Sequence, residues 1–230
     1  MTERVYDEIW HRKLAGAAED RPVDRWIVTA HEFQPVTRML DVGCGDGTAA
    51  RYLGGKAGVI VGTDIAAQAC RVADGHGMRT AVSSLDGACL PFATASFDAV
   101  TCLDVIEHLL DPAHVMRELS RVLRPGGRCY VSTVNIRYAK FTWQLVFNGF
   151  FPWTSSDREA YDGGHLHYFA ARNLAELGRA AGLRVVRHVG VVPSAGRLRR
   201  LQPLRRTKLV REFLAAGFLL IFERIGSEVE

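Results

Sequence analysis

A glycine-rich turn constrains the fold of this chain more than any other feature of its sequence. Residues 39–47 read MLDVGCGDG, in which an apolar stretch ends at Asp41 and glycines follow at positions 43, 45 and 47. Glycine lets a backbone turn tightly and approach a ligand with no Cβ in the way. A helix starting at Thr48 would direct its amide-rich N-terminus at the turn and favour a ligand's carboxylate. The pattern therefore predicts a strand–turn–helix unit that binds a small molecule.

Apolar stretches and helical stretches alternate along most of the chain. We predict strands at 38–42, 58–63, 78–82, 97–103, 128–133, 183–192 and 217–225, and helices at 48–53, 65–73, 112–123 and 172–181. Asp111 is the expected N-cap of the third helix, with Pro112 in its first position. Pro125, Gly126 and Gly127 predict a sharp stop after that helix. The alternation predicts a mostly parallel sheet with helices on both faces.

Length and composition are those of one α/β domain with insertions. The chain has 230 residues, 48% of them hydrophobic and 23% charged, and a modest net charge of +4. We predict an N-terminal helical cap at 1–35, a lid segment at 135–164 and a basic segment at 193–213. Five widely spaced cysteines without a CxxC pair indicate buried, reduced thiols in a cytoplasmic protein. The N-terminus lacks the apolar run of a signal peptide.

Four blocks of sequence carry a resemblance to a known family. They are LDVGCGDG at 40–47, VGTDIA at 61–66, LDGACLPFATASFDAV at 85–100 and LRPGG at 123–127. In this order they resemble class I S-adenosylmethionine-dependent methyltransferases, in the branch of the ubiquinone-biosynthesis O-methyltransferases and the sugar and polysaccharide methyltransferases. The resemblance implies a Rossmann-like, seven-stranded, mostly parallel sheet in the order 3-2-1-4-5-7-6, with the last strand antiparallel. A nicotinamide site would instead space its glycines as GxGxxG.

The resemblance also implies where S-adenosylmethionine, or its product S-adenosylhomocysteine, would bind. The implied contacts are Asp41, Gly43, Cys44, Gly45, Asp64, Ile65, Asp86, Gly87, Ala88, Leu103 and Asp104. Asp41 and the first glycines would line the methionine part, Asp64 the ribose, and Asp86 the adenine amine. Asp64 at a strand tip is also a candidate helix N-cap, and Asp86-Gly87 also fits a plain turn.

Two groups of histidines are candidates for catalysis. Asp104, Glu107 and His108 have the i, i+3, i+4 spacing that places side chains on one face of a helical turn. His108 is a candidate general base, the three together are a candidate site for a divalent cation, and orientation of the loop is the structural alternative. His165 and His167 alternate, so that in an extended segment both would point the same way. One of them is a candidate contact to the acceptor, and hydrogen bonding to loop carbonyls is the alternative.

The two insertions suggest partners. The lid segment contains Tyr138, Phe141, Trp143, Phe147, Phe150, Phe151 and Trp153. Such a lid suits an apolar or planar acceptor, a contact with a membrane surface, or a small satellite core. The basic segment is either a membrane-surface or phosphate-binding patch or a solvated face, and Pro193 and Pro203 argue against one long helix.

The helical spacing of Tyr6, Ile9, Trp10 and Lys13 indicates a leading helix that closes over the cofactor or docks on the surface. No recognised nucleic-acid-binding module appears, and a monomer or a homodimer is expected. The leading function is O-methylation of a hydroxyl on a small, sugar-like or lipid-like acceptor. N- or C-methylation, or a non-catalytic module that binds the same cofactor, remain as alternatives.

Overall fold

Seven strands form one sheet in the computed structural model, which describes residues 10, 23–155, 161–194 and 196–226. The strands are β1 (Val36–Val42), β2 (Ala57–Asp64), β3 (Arg79–Val82), β4 (Phe97–Leu103), β5 (Leu123–Val134), β6 (Leu183–Val191) and β7 (Gly217–Arg224). Their order is β3-β2-β1-β4-β5-β7-β6. The first five strands are parallel, and β7 runs antiparallel to both of its neighbours. The fold implied by the resemblance is confirmed.

Helices flank this sheet. They are α1 (Asp24–Glu32), α2 (Thr48–Leu53), α3 (Ala67–Gly75), α4 (Pro112–Val122), α5 (Ala139–Asn148) and α6 (Ala171–Ala180). Single 3₁₀ segments lie at Ile106–His108, Tyr161–Gly164 and Arg197–Leu204, and a π turn at Val210–Leu214. In the described part of the chain, none of the helices has both the length and the apolarity that crossing a bilayer requires.

Parallel pairing at the centre of the sheet brings several strand ends to one edge. Asp41 lies opposite Gly62 of β2 on one side and opposite Thr101 of β4 on the other. Because all three strands run the same way, the segments that leave their carboxyl ends meet. The same strands are nearly fully buried towards these ends, which fits their continuous apolar sequence.

Helix α4 begins as the sequence predicts. The Asp111 side chain accepts a hydrogen bond from the amide of His114 (2.9 Å), and Pro112 occupies the first turn. Further along the helix, Glu118 accepts the amide of Leu90 (2.7 Å), and Arg121 donates to the Leu90 carbonyl (3.0 Å). These bonds fix the loop that connects β3 to β4.

Two elements differ from the sequence-based prediction, and a third agrees with it. Strand β5 begins at Leu123, because Leu123 pairs with Phe97 and Arg128 with Ala99, so that 124–127 bulge out within the strand. The lid segment contains α5, a helix that was not predicted and whose N-terminus has no capping side chain. The basic segment is broken into a 3₁₀ segment containing Pro203 and a π turn, so the prediction that it is not one long helix is confirmed.

The cysteines are all reduced, as predicted. Four of the five are buried, whereas Cys89 is exposed, so the prediction of burial is wrong for this one. Its neighbours lie in the irregular connection between β3 and β4, outside the sheet that buries the others.

Close packing of α6 on the sheet gives a test of the fold. A Cβ at Gly178 would lie 2.3 Å from the ring of Phe222, a fully buried residue of β7. Gly178→Ala should therefore lower the free energy of unfolding by about 1–3 kcal/mol in urea denaturation. Gly75→Ala is the control, since a Cβ there meets no atom within 4 Å. It should be neutral or stabilising by up to about 1 kcal/mol, and equal losses for the two variants would contradict this packing.

Candidate functional site

Hydrogen bonds tie the glycine-rich turn to the end of β2. The amides of Gly43 and Cys44 both donate to the Thr63 carbonyl, at 2.8 and 3.0 Å. The amide of Gly47 then donates to the Cys44 carbonyl (3.0 Å), which closes the turn immediately before α2. The turn is thus a fixed extension of two paired strands.

Each glycine of the turn is required by its conformation and by its neighbours. Gly43, Gly45 and Gly47 have φ angles of +70°, +53° and +82°, in the left-handed region that favours glycine. A Cβ on Gly43 would lie 2.4 Å from the side chain of Val105, and one on Gly45 would lie 2.6 Å from the ring of Trp10. The turn presents bare backbone, and Trp10 is the part of the predicted leading helix that lies over it. Tyr6, Ile9 and Lys13 fall outside the described residues.

Asp41 is a buried carboxyl group beside the turn. Its Oδ1 atom accepts the hydroxyl of Thr101 at 2.6 Å, while among the described residues its Oδ2 atom has no hydrogen-bond partner. Burial raises the pKa of Asp41 to about 7, against the lowering effect of the Thr101 hydrogen bond. A buried carboxyl oxygen with no partner is suited to accept a donor from a ligand.

Asp64 links the turn to the segment that follows β2. Its Oδ2 atom accepts the amide of Gly45 and its Oδ1 atom accepts the amide of Ala66, both at 2.9 Å. The N-cap of α3 is Ala66, so the alternative interpretation of Asp64 as that N-cap is wrong. Each oxygen of an ionised carboxylate can accept two hydrogen bonds. Ile65, between them, is partly buried.

The segment after β3 approaches the start of α4. Asp86 accepts the amide of Leu110 (2.9 Å), and the carbonyl of Ala88 is bonded by the ring of His114 (3.0 Å). Gly87 between them has a φ of +79°. The structure therefore holds these three residues in a turn at the same edge as the end of β4, where Leu103 is buried.

Asp104 does not share a helical face with Glu107 and His108. It has a φ of +54° and precedes the 3₁₀ segment that contains the other two. Its carboxylate is held by the Ser132 hydroxyl (2.7 Å) and by Arg25 (3.1 Å). The prediction of one shared face is wrong, because the chain turns sharply at Asp104 before the helical segment begins.

Glu107 and His108 instead meet His165. One ligand atom from each of the three lies within 4.8 Å of the other two, and the rings of His108 and His165 are 4.7 Å apart. Glu107 is buried, and among the described residues neither of its carboxyl oxygens has a hydrogen-bond partner. Burial raises the pKa of Glu107 to about 8, and the charge of Asp104 adds to this. Two imidazoles and a carboxyl group are ligands that a divalent transition metal accepts.

Backbone hydrogen bonds produce this meeting. The carbonyl of Glu107 accepts the amides of both Leu166 (2.8 Å) and His167 (3.0 Å). The segment after the lid is thereby fixed against the loop after β4. His165 is the histidine of this segment that joins His108 and Glu107, whereas the His167 ring lies 6.1 Å from that of Phe169. The sequence analysis identified His108 and His165 as separate candidates, but nothing in the sequence indicated that the two rings lie together.

Asp162 was missed by the sequence analysis, although it organises the end of the lid segment. It accepts the amide and the hydroxyl of Thr154 (both 2.6 Å), the amide of Ser155 (2.8 Å) and the hydroxyl of Tyr168 (3.0 Å). Burial acts to raise its pKa, but these hydrogen bonds outweigh burial and hold the pKa of Asp162 below its usual value. Asp162 is therefore an ionised acceptor at neutral pH.

The ionised Asp162 sets the tautomer of His165 through Thr154. The Thr154 hydroxyl gives its proton to Asp162, so its oxygen accepts Nδ1–H of His165 at 2.7 Å. Burial lowers the pKa of His165, against the raising effect of Asp162, and favours the neutral ring. His108 likewise places Nδ1 on the Gly164 carbonyl (3.2 Å), which accepts only. In the neutral ring of His165, Nε2 then carries the lone pair that can take a proton or bind a metal.

The chain is similar in sequence to known proteins along most of its length. The profile of a family described as a methyltransferase domain matches residues 8–188. The ubiquinone biosynthesis O-methyltransferase of Burkholderia thailandensis is 30% identical over 198 residues, which are 81% of this chain and 84% of that protein. The protein of the same name from Paracidovorax citrulli is 30% identical over 160 residues, 61% of this chain and 64% of its own length.

Solved structures agree with the fold. An S-adenosylmethionine-dependent methyltransferase of Thermotoga maritima superposes with a TM-score of 0.66, over 96% of this chain and 97% of its own. Its sequence is only 18% identical, so it supports the fold and gives no information about the acceptor.

The raised pKa of Asp41 predicts how stability depends on pH. Its carboxyl is protonated up to about pH 7 when folded but ionises near 3.8 when unfolded. The stability that the protonated form contributes is therefore present below pH 3.8 and lost as pH rises towards 7. Relative to Asp41→Asn, which cannot ionise, the wild type should lose up to about 1.4 kcal/mol per pH unit in this window. Urea denaturation without added ligand measures this, and a pH-independent difference would contradict it.

Proposed function

Because the chain belongs to the S-adenosylmethionine-dependent methyltransferases, we propose that its glycine-rich turn binds this cofactor and that it methylates a hydroxyl group. The acceptor is a small, sugar-like or lipid-like molecule. The observation that carries the proposal is the turn itself, whose three glycines lie at the carboxyl edge of the sheet beside Asp41 and Asp64.

The residues at this edge fit the cofactor. Gly43, Cys44 and Gly45 would hold its methionine part through their backbone. The Oδ2 atom of Asp41, which has no hydrogen-bond partner among the described residues, would accept a donor there. Asp64 would accept the ribose hydroxyls at the end of β2, next to Ile65.

Further along the edge, Asp86, Gly87 and Ala88 would contact the adenine, and Leu103 and Asp104 would complete the site at the end of β4. The hydrogen bonds from Leu110 and His114 to the first of these segments support a fixed binding surface.

The histidine pair supports transfer to a hydroxyl. When bound, the cofactor supplies a methyl group on a sulfonium, which an acceptor oxygen attacks in line. A hydroxyl acceptor must then release its proton, and Nε2 of His165 would serve as the base for this step beside the ring of His108. Asp162 acts through Thr154 as a positioning residue that keeps this lone pair on Nε2.

A bound divalent cation is the second candidate role of the same cluster. Glu107, His108 and His165 form the ligand set, and the buried Glu107 carboxyl without a hydrogen-bond partner favours this role. Asp104, which the resemblance includes in the set, is held by Ser132 and Arg25 instead. The cation would polarise the acceptor oxygen and lower the pKa of its hydroxyl.

The named relatives support a hydroxyl acceptor, since two of them are called ubiquinone biosynthesis O-methyltransferases. The match extends over less than two thirds of the Paracidovorax protein, so its acceptor is not transferred to this chain. N- or C-methylation, or cofactor binding without turnover, are the alternatives that an acceptor screen distinguishes.

Calorimetric titration tests the cofactor site. The wild type should bind S-adenosylmethionine and S-adenosylhomocysteine with micromolar affinity and should give no response to NAD. Gly45→Arg should abolish binding, since the left-handed φ of Gly45 disfavours any side chain and a Cβ there would collide with the Trp10 ring over the turn. Gly55→Arg, at a position with no atom within 4 Å of a Cβ, is the control and should bind as the wild type. Unchanged binding by Gly45→Arg would reject the site.

Turnover tests the role of the histidine pair. Release of S-adenosylhomocysteine is measured with catechol, sugar and amine acceptors, with and without a chelator. His165→Ala should lose about 100-fold or more in kcat while binding the cofactor normally. Thr154→Val should lower kcat at least about tenfold, and Thr154→Ser, which keeps the hydroxyl, should restore it. Loss of activity with the chelator indicates the cation role, whereas full activity in His165→Ala would exclude both roles for this residue.

A further inference from the structure

A cavity lies at the amino edge of the sheet, opposite the edge of the proposed cofactor site. The connection between α1 and β1 forms one wall with residues 34–36, and the bulged segment 124–128 of β5 forms another. Asp98 and Tyr130 also line it. Its volume of about 270 Å³ is close to the lower end of the range for small-molecule sites, which is about 300–1,000 Å³. The cavity therefore suits a small ligand.

Tyr130 contributes a buried hydroxyl to this cavity. The residue is fully buried, yet among the described residues its Oη atom has no hydrogen-bond partner. Burial raises the pKa of Tyr130, whereas the Gln34 backbone and the Arg128 guanidinium act to lower it. The hydroxyl is thus protonated at neutral pH, and these two neighbours supply donors or positive charge, not an acceptor for its proton. Such a hydroxyl is suited to donate to a ligand.

Arg128 provides a positive charge next to this hydroxyl. It follows the bulge of β5 and lies two residues before Tyr130, so both side chains are on the same face of the strand. Glu223 is opposite Arg128 on β7, but its carboxylate pairs with Arg184 at 2.8 Å. In the part of the chain that the structure describes, Arg128 forms no ion pair. A guanidinium in this state can offer its parallel N–H groups to a phosphate.

Two acidic groups near the cavity are already paired. Asp98 accepts the amide of Arg38 (2.8 Å) and the guanidinium of Arg124 (2.5 Å). Glu32, whose charge also affects Tyr130, is held by two arginine side chains at 3.1 and 2.7 Å. The lining itself contains two arginines, at 124 and 128, against one aspartate, so its charge favours an anion.

We propose that this cavity binds a small ligand through a phosphate group, which the Arg128 guanidinium and the Tyr130 hydroxyl hold. Since Tyr130 is fully buried, the flexible Arg128 side chain would turn towards the phosphate and open the hydroxyl to one of its oxygens. Strand β1 has seven residues, and at about 3.3 Å for each residue the site would lie about 20 Å from the glycine-rich turn. The site is therefore separate from the proposed cofactor site and does not depend on the proposed function.

Calorimetric titration of the full chain tests this site. We use inorganic phosphate and glycerol 3-phosphate, with sodium chloride at matched ionic strength as the blank. The wild type should bind phosphate, and tighter binding of glycerol 3-phosphate would identify an ester as the ligand in place of the free ion. Arg128→Gln should weaken binding at least about tenfold. Arg172→Gln, at an exposed arginine of α6, is the matched control and should bind as the wild type.

Tyr130→Phe distinguishes a ligand contact from a structural role. Without phosphate this variant should be as stable as the wild type in urea or more stable, because it removes a buried hydroxyl that has no partner. It should nevertheless bind phosphate about fivefold more weakly, because one hydrogen bond to the ligand is lost. Phosphate should stabilise the wild type against urea, and less so this variant.

Urea denaturation also shows whether each variant is folded. Three results would overturn the proposal: no binding of either phosphate compound beyond the sodium chloride blank, equal binding by Arg128→Gln and the wild type, or binding of acetate in preference to phosphate. Lower stability of Tyr130→Phe with unchanged phosphate binding would do so as well, since the hydroxyl would then serve the fold.

Discussion

The amide of Gly45 donates a hydrogen bond to the carboxylate of Asp64, and this contact joins the two strand ends on which the candidate site depends. It acts together with the bonds from Gly43 and Cys44 to the Thr63 carbonyl. A turn with three glycines in the left-handed region would be flexible in isolation, because glycine has the most backbone conformational freedom to lose on folding. Here β1 pairs in parallel with β2 and β4, which fixes the positions of the carboxyl ends of β1 and β2. The hydrogen bonds from the turn to the end of β2 then hold the turn in one conformation.

Backbone hydrogen bonds between distant segments also build the proposed acceptor side of the site. Glu107 and His165 are far apart in sequence, yet the Glu107 carbonyl binds two amides of the segment that follows the lid. The backbone thus brings together a buried carboxyl group and two imidazoles. Asp162 then fixes the proton on one imidazole through Thr154. Buried groups that are held without full hydrogen bonding, such as Glu107, are costly to the fold and are typical of functional sites.

Sequence reasoning succeeded where local patterns decide the structure. The turn requires glycine for steric reasons. The continuous apolar sequence of β4 is typical of a strand that is buried on both faces. Both features are therefore predictable from a few neighbouring residues. It failed where distant segments meet. The pairing of His108 with His165 depends on backbone contacts across the lid, and α5 begins without the capping side chain that marks a helix N-terminus in sequence. The prediction that Asp104 shares a helix face with Glu107 and His108 was wrong for another reason. Asp104 has a positive φ, which is uncommon for a non-glycine residue and breaks the helical spacing that the prediction assumed.

A crystal structure with S-adenosylhomocysteine tests the central claim most directly. The account predicts density for the ligand along the carboxyl edge of the sheet, with its homocysteine part over Gly43–Gly45 and its ribose on Asp64. The sulfur should point towards the cluster of Glu107, His108 and His165. Density for the ligand at another edge, or with its ribose away from Asp64, would contradict the assignment of this turn as the cofactor site.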